Sequence, residues 1–302
     1  MENFKGFKPD FKKPLGFKKP PLADVSKIKN KFLDLPYGNE SKAQVLDLYL
    51  PENGSKPYPV LIYIHGGGFA LGDKRDDHIN DLLSILDQGW ALAGIEYRLS
   101  GEAIFPAAVY DCKSAIKYLR ANCAKYNLDS NNFFSLGGSA GGNLSAMMAV
   151  SKGLFVDPQG QYNDYPDQVN AAVDWFGPTD FKVMDQQAKE NGFSFVNHDE
   201  AESAESTYLG QPISSCSQEL CDKANPITYI SDKMVPIFVE HGDHDHLVPP
   251  QQSKILVEAI KKKVGKDKVQ YHILKDADHE DKQFTSKENL QLVWDFLNHW
   301  RV

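Results

Sequence analysis

The chain has 302 residues, 41% of them hydrophobic and 25% charged, with a formal net charge of −8. Such a composition excludes disorder for the bulk of the chain, because there is ample apolar surface to bury. It also argues against a general nucleic-acid binder, since the phosphate backbone repels an acidic body.

Residues 1–31 depart from this balance. They hold nine Lys against Glu2, Asp10 and Asp24, so the rest of the chain is more acidic than the total suggests. The segment repeats loosely as KGFKPDFKKP and LGFKKP, and Pro9, Pro14, Pro20 and Pro21 discourage helix. It is read as an extended, solvated basic leader, with contact to an acidic partner or lipid headgroups as the other use of such an arm. It has no apolar core, so no secretory signal is expected, and the chain is expected to be uncleaved and cytoplasmic. Uninterrupted apolar runs reach only five or six residues, as in Val60–Ile64, against ~20 for a spanning helix.

Beyond the leader, two periods alternate. Val45–Leu50 reads as a half-buried strand and Val60–Ile64 as a strand buried on both faces. Asp76–Gln88 carries Ile79, Leu82, Leu83 and Leu86 at helical spacing. Ala91–Tyr97 is a strand, and Pro106–Tyr126 a long helix opened by proline. The strand Phe133–Leu136 runs into Gly137–Gly142 and a small-residue helix through Val150. Ala171–Phe176, Ile237–Glu240 and Tyr271–Leu274 are further strands, with helices at Gln252–Lys263 and Lys287–Trp300. Alternation of this kind predicts a mostly parallel sheet flanked by helices. Phe181–Ala224 breaks it with weak periods and many polar residues. A 44-residue insertion there is expected to be a small, partly helical cap rather than a bare surface loop.

Four cysteines make no disulfide framework. Cys112 and Cys123 lie about 16 Å apart along one helical pattern, too far to bridge. Cys216 and Cys221 are close enough in sequence to pair, although reduced thiols are expected in a cytoplasm.

The strongest chemical signal is Gly137-Gly138-Ser139-Ala140-Gly141. It matches G-x-S-x-G between a strand and a helix, the setting of a nucleophile elbow. The turn is sharp, so it needs small neighbours, and the helix behind Ser139 favours developing negative charge. A second signal is His65-Gly66-Gly67-Gly68-Phe69, directly after a strand. Its glycines let backbone N–H groups converge on an oxyanion, with Ala140 N–H as partner. His65 is read as an organiser of that loop, since a better base lies downstream. A serine nucleophile needs a histidine and an orienting carboxylate. Two later strands end in His241-Gly242-Asp243-His244-Asp245-His246 and in Asp276-Ala277-Asp278-His279-Glu280. Strand C-termini are where open α/β sheets place their sites. His279 is the expected base, and Asp243 and Asp245 compete as the acid. The three histidines of the first stretch also suggest a metal site, but no H-E-x-x-H or paired cysteine supports one.

With these motifs in hand, the chain resembles an α/β-hydrolase of the hormone-sensitive-lipase-like carboxylesterase group, near the bacterial feruloyl and acetyl-xylan esterases. The resemblance covers about residues 40–302. It rests on HGGGF at 65–69, EYRLS at 96–100, FPAAVYD at 105–111, GGSAGG at 137–142, WFGPTD at 175–180, HGDHDHLVP at 241–249 and His279. It implies one α/β-hydrolase domain over 32–302, with the cap at about 181–224. It implies a catalytic triad of Ser139, Asp245 and His279. The oxyanion hole falls to Gly67, Gly68 and Ala140, with Gly66 also eligible. Asp111 and Trp175 are implied to be scaffold. The activity implied is serine carboxylic-ester hydrolysis through an acyl-enzyme, on small-molecule esters with short- to medium-chain or hydroxycinnamoyl groups. An amidase, arylformamidase or peptidase would use the same triad. No cofactor or metal is expected. One departure stands out: small or apolar residues commonly surround the catalytic histidine in such esterases, whereas Asp276, Asp278 and Glu280 surround His279. Nearby carboxylates favour the imidazolium.

Overall fold

Tyr58–Ile64 reads YPVLIYI, and all of it is buried. A strand needs such a run when helices cover both of its faces. The computed structural model, which describes residues 20–193 and 196–302, shows that arrangement. Among the described residues, one sheet holds β1 (Lys31–Pro36), β2 (Val45–Tyr49), β3 (Tyr58–Ile64), β4 (Ala91–Ile95), β5 (Leu128–Gly138), β6 (Ala171–Trp175), β7 (Ile237–Gly242) and β8 (Val269–Leu274). The order is β1-β2-β4-β3-β5-β6-β7-β8. The β1–β2 and β2–β4 pairs are antiparallel, and every pair from β4 to β8 is parallel.

The helices are α1 (Ile79–Leu82), α2 (Ala107–Ala121), α3 (Cys123–Tyr126), α4 (Ala140–Val150), α5 (Met184–Glu190), α6 (Ala204–Leu209), α7 (Gln218–Ala224), α8 (Gln251–Val264) and α9 (Lys287–His299). Alternate residues of β3 feed two cores. Val60, Ile62 and Ile64 pack with Ile116 of α2, Leu144 of α4 and Leu256 of α8. Leu61 and Tyr63 pack on the other face with Ile79 of α1 and Val293 and Leu297 of α9. At ~1.5–3 kcal/mol for each large apolar side chain buried, these two layers hold the sheet.

Several elements differ from the sequence reading. β1 is an added antiparallel edge strand, beginning where the basic leader was expected to end. Within that leader, Ala23 and Val25 are buried, and Ala23 N donates to Arg75 O at 2.9 Å. Residues 20–31 therefore belong to the packed body, and residues 1–19 lie outside the described residues. The 76–88 helix is a short α1 that tightens into a 3₁₀ turn at Leu83–Gln88 and stops at Gly89, whose φ is 77°. The 106–126 helix is two helices. Asn122 divides them, and its Nδ2 donates back to Tyr118 O at 2.8 Å. A side chain that bonds the preceding turn competes with helix continuation. Cys216 and Cys221 are free thiols, with sulfurs 2.9 Å apart.

The 181–224 stretch carries α5, α6 and α7 after a 3₁₀ turn at Phe181–Val183. Ser203 and Ser217 accept hydrogen bonds from Ser206 N and Leu220 N at the starts of α6 and α7. Such caps satisfy amides that short helices otherwise leave unpaired.

Candidate active site

Gly-Gly-Ser-Ala-Gly-Gly joins β5 to α4 without a spare residue. Ser139 pays for this with φ 56° and ψ −125°, a strained conformation for a residue with a side chain. Its N–H donates to Trp175 O at the end of β6, at 2.9 Å. The glycines are required by close approach: a Cβ on Gly141 would lie 2.1 Å from Ile64 O, and one on Gly137 would lie 2.2 Å from Gly141 O. Ser139 thus stands at the head of α4 on the C-terminal rim of the sheet.

Next to it, Gly67 and Gly68 hold φ of 98° and 59°. A Cβ at Gly67 would meet Leu71 O at 2.2 Å. Their N–H groups donate to no other described residue, and Ala140 N–H is a first-turn donor with no intrahelical acceptor. His65 is fully buried and lies outside the cavity wall. Its Nδ1–H donates to Gly66 O at 2.8 Å, its Nε2 meets Glu96 Oε1 at 3.1 Å, and its ring stacks on Tyr97. Burial opposes its charging, but Glu96 outweighs this and raises its pKa.

β7 and β8 deliver the remaining groups. Their loops cross so closely that a Cβ on Gly242 would lie 2.2 Å from Ala277 O. His279 Nδ1–H donates to Asp245 Oδ2 at 2.7 Å. The same oxygen receives His241 Nε2–H at 3.1 Å, and Oδ1 receives the N–H groups of Leu247 and Val248. Burial pushes the Asp245 carboxyl upward, yet His279 and His241 hold it well below the usual carboxylate range. Burial likewise works against the imidazolium of His279, but Asp245, Glu280 and Asp278 together raise its pKa. His279 Nε2 is buried with no partner among the described residues.

Asp243 does not reach His279. It is exposed, and its Oδ1 accepts Asp276 N–H at 2.6 Å, bracing the two loops. Asp278 braces them again, accepting the N–H groups of His246 and His279. The histidines of the suspected metal cluster diverge: His241 is buried against Ser253, His244 faces Asp276, and His246 faces Asp278. Asp243, His244 and Asp276 do bring ligand atoms within 4.8 Å of one another, all on exposed residues.

Ser139, His279, Gly67, Gly68 and Ala140 line one cavity of about 660 Å³. Residues 46–260 of the chain match the BD-FAE family. The chain belongs to that family. LipM of Mycobacterium tuberculosis (strain ATCC 25618 / H37Rv), described as a probable carboxylic ester hydrolase, is 31% identical over 252 residues, covering 82% of this chain and 55% of LipM. The BD-FAE chain spans about half the length of the curated relatives it matches. A solved structure described as a truncated carbohydrate esterase from gut microbiota superposes with a TM-score of 0.81 at 26% identity, covering 94% of this chain and 99% of that one. A bifunctional GH43-CE chain of Bacteroides eggerthii gives a TM-score of 0.79 at 28% identity, covering 89% of this chain and 35% of that one. The fold is the α/β-hydrolase fold, and the family is hormone-sensitive-lipase-like, as the motifs imply.

The tertiary structure gives several motif residues their partners and adds His78, which no motif marked. Phe176 sets its ring edge-on to His279, with centroids 4.7 Å apart. His78 and Glu280 join the cavity wall. Asp111 accepts from Arg98 and Gln44, tying the EYRLS and FPAAVYD segments together. Tyr208 and Leu209 of the 181–224 stretch are buried in the main core. Tyr208 stacks on Phe69 at 3.8 Å. Phe193 packs over His246, and Phe195 lies outside the described residues. The cap instead lines the cavity with Asn197, His198, Glu200, Ser203, Ala204 and Glu205 among others.

No helix among the described residues is long and apolar enough to cross a membrane.

Proposed function

We propose that the chain is a serine carboxylic-ester hydrolase acting through an acyl-enzyme. The observation that carries this is the His279–Asp245 pair, whose free Nε2 lies buried at the cavity that the strained Ser139 also lines. The descriptions of LipM and of the carbohydrate-esterase structure support ester hydrolysis.

In this reading Ser139 Oγ attacks the ester carbonyl while His279 Nε2 takes its proton. The C=O electron pair moves onto oxygen, and the N–H groups of Gly67, Gly68 and Ala140 stabilise that oxyanion. Preorganised donors of this kind are usually the largest single contribution to such catalysis. Collapse expels the alcohol, which receives the proton from His279. Water, deprotonated by the same nitrogen, then releases the acid and restores Ser139. Asp245 holds the tautomer with Nδ1–H and stabilises the imidazolium. No step requires a cofactor.

The acyl group is short to medium in chain length, or a hydroxycinnamoyl. A cavity of about 660 Å³ under a cap rich in polar residues suits such groups better than a long lipid chain. An amide would enter the same machinery, so matched ester and anilide substrates separate the two activities. The direct test is Ser139→Ala, expected to lower kcat by ~10⁶-fold, with loss of the acyl adduct seen by intact mass after rapid quenching. Retention of a tenth of the activity would overturn the assignment.

A further inference from the structure

The cavity wall beside His279 is built by Glu280 and His78, and the reaction as written uses neither. Glu280 holds φ of 58°, a left-handed conformation that residues with side chains adopt at a cost and that gathers at functional sites. Its carboxylate comes close to the nucleophile. A Cβ on Gly66 would lie 3.4 Å from Ser139 Cβ and 3.6 Å from Glu280 Oε1, so the two flank one small space. Behind it, Glu280 Oε2 is 3.6 Å from His78 Nε2, and His78 Nδ1 is 3.4 Å from Asp76 Oδ1. Asp76 also accepts the Tyr63 hydroxyl at 3.0 Å.

This wall lies on the leaving-group side, an inference that rests on the triad reading above. His279 must return its proton to the departing alcohol oxygen, so the alcohol lies against His279 and the residue that follows it. We propose that Glu280, backed by His78, is the subsite for the alcohol half of the ester and selects alcohols with a second hydroxyl near the ester oxygen. That hydroxyl, of a vicinal diol or polyol, donates a hydrogen bond to the carboxylate. The Glu280 side chain is 42% exposed, so a simple alkyl alcohol would displace water from the carboxylate without replacing its hydrogen bond, and that costs binding. A cationic alcohol fits less well. Asp76 first and Glu280 second push the His78 pKa up to about 10, so an imidazolium already answers the carboxylate charge. What Glu280 still offers the cavity is acceptor capacity.

Ethyl, 2-hydroxyethyl and 2-methoxyethyl esters of one short acid separate a hydroxyl donor from mere size. Wild-type kcat/KM is expected to favour 2-hydroxyethyl over 2-methoxyethyl by about tenfold, the worth of one hydrogen bond to a charged group. Glu280→Gly suits the backbone at that position and is expected to reduce the ratio to about twofold or less. Glu280→Gln keeps the shape and a neutral acceptor, so its ratio is expected to fall between the two. A wild-type ratio near one overturns the proposal, as does a wild-type ratio retained in whichever Glu280 variant has an unchanged melting temperature. Ser139→Ala tells the two ideas apart. If it hydrolyses these esters as the wild type does, the triad reading falls. If it is inactive while the Glu280 variants keep the wild-type ratio, only the subsite falls.

Discussion

The rim of the sheet and the cap above it are secured by different means. At the rim, Ser139 and its neighbours sit where strands end, and backbone meets backbone too closely for any side chain at Gly137, Gly141 or Gly242. The cap has a backbone tie, Phe105 N–H to Tyr208 O at 2.8 Å, but hangs mainly on side chains. His198 pairs with Glu205 at 3.1 Å and with Leu247 O at 3.1 Å, two residues from Asp245. Lys182 donates to the carbonyls of Ile213 and Cys216, and Gln252 of α8 accepts from the N–H groups of Thr179 and Asp180. Close backbone approach thus fixes the rim, whereas the cap rests on contacts that single substitutions can change.

The sharpest test of the rim compares its two carboxylates. Asp245→Asn is expected to lower kcat by ~10⁴-fold, as loss of an orienting carboxylate does. Asp243→Asn, which removes only the charge from an exposed loop brace, is expected to cost about tenfold or less. Equal losses in steady-state assays would show that the wrong carboxylate has been assigned to His279.

Two glycines set rim against cap by stability. Gly141→Ala forces a methyl into Ile64 O and is expected to cost about 3 kcal/mol, read as a lowered melting temperature. Gly192 in the cap has φ of 74° but open space around it, so Gly192→Ala is expected to cost ~1 kcal/mol. A cap variant as destabilised as the rim variant would remove the distinction.

Acyl-chain preference probes the cap by itself. Specificity constants for acetate, butyrate, octanoate and palmitate esters are expected to peak at or below octanoate. His198→Ala, which frees Leu247 O and leaves Glu205 unpaired, is expected to flatten that preference and raise KM more than it lowers kcat. A peak at palmitate in the wild type would contradict the reading of a small cavity under a polar cap.

The smallest effect concerns pH. In the proposed mechanism His279 acts as base when neutral, so activity is expected to fall as pH drops through its pKa. That pKa is raised, so the acid limb of kcat/KM is expected above the ordinary histidine value of about 6.5. Asp278→Asn removes one contributing carboxylate and is expected to move the limb downward. An unmoved limb would mean that Asp245 and Glu280 alone hold the imidazolium.

Much of the rim was legible in sequence because its cause is local. G-x-S-x-G between a strand run and a helix run specifies its own turn, and the small residues needed for close approach are covalent neighbours. The order of serine, acid and histidine and the alternation of periods likewise follow from chain order and solvent patterning. The β1 strand was missed because an edge strand is only half buried, and KFLDLP followed a proline-rich leader without a break. Asp243 and Asp245 are equal in local pattern. They separate only when the β7 and β8 loops cross, so that one carboxylate turns inward to His279 and the other outward to Asp276 N–H. Phe176 against His279, and His78 against Glu280, are likewise pairs from distant segments. Which side chains of 181–224 face the cavity was not legible, because helices as short as α6 carry too few turns to show a face. Sequence alone determined the turns, the periods and the elbow that carries Ser139. Strand order and loop crossing decided which charges meet, because those contacts join residues that the chain itself holds far apart.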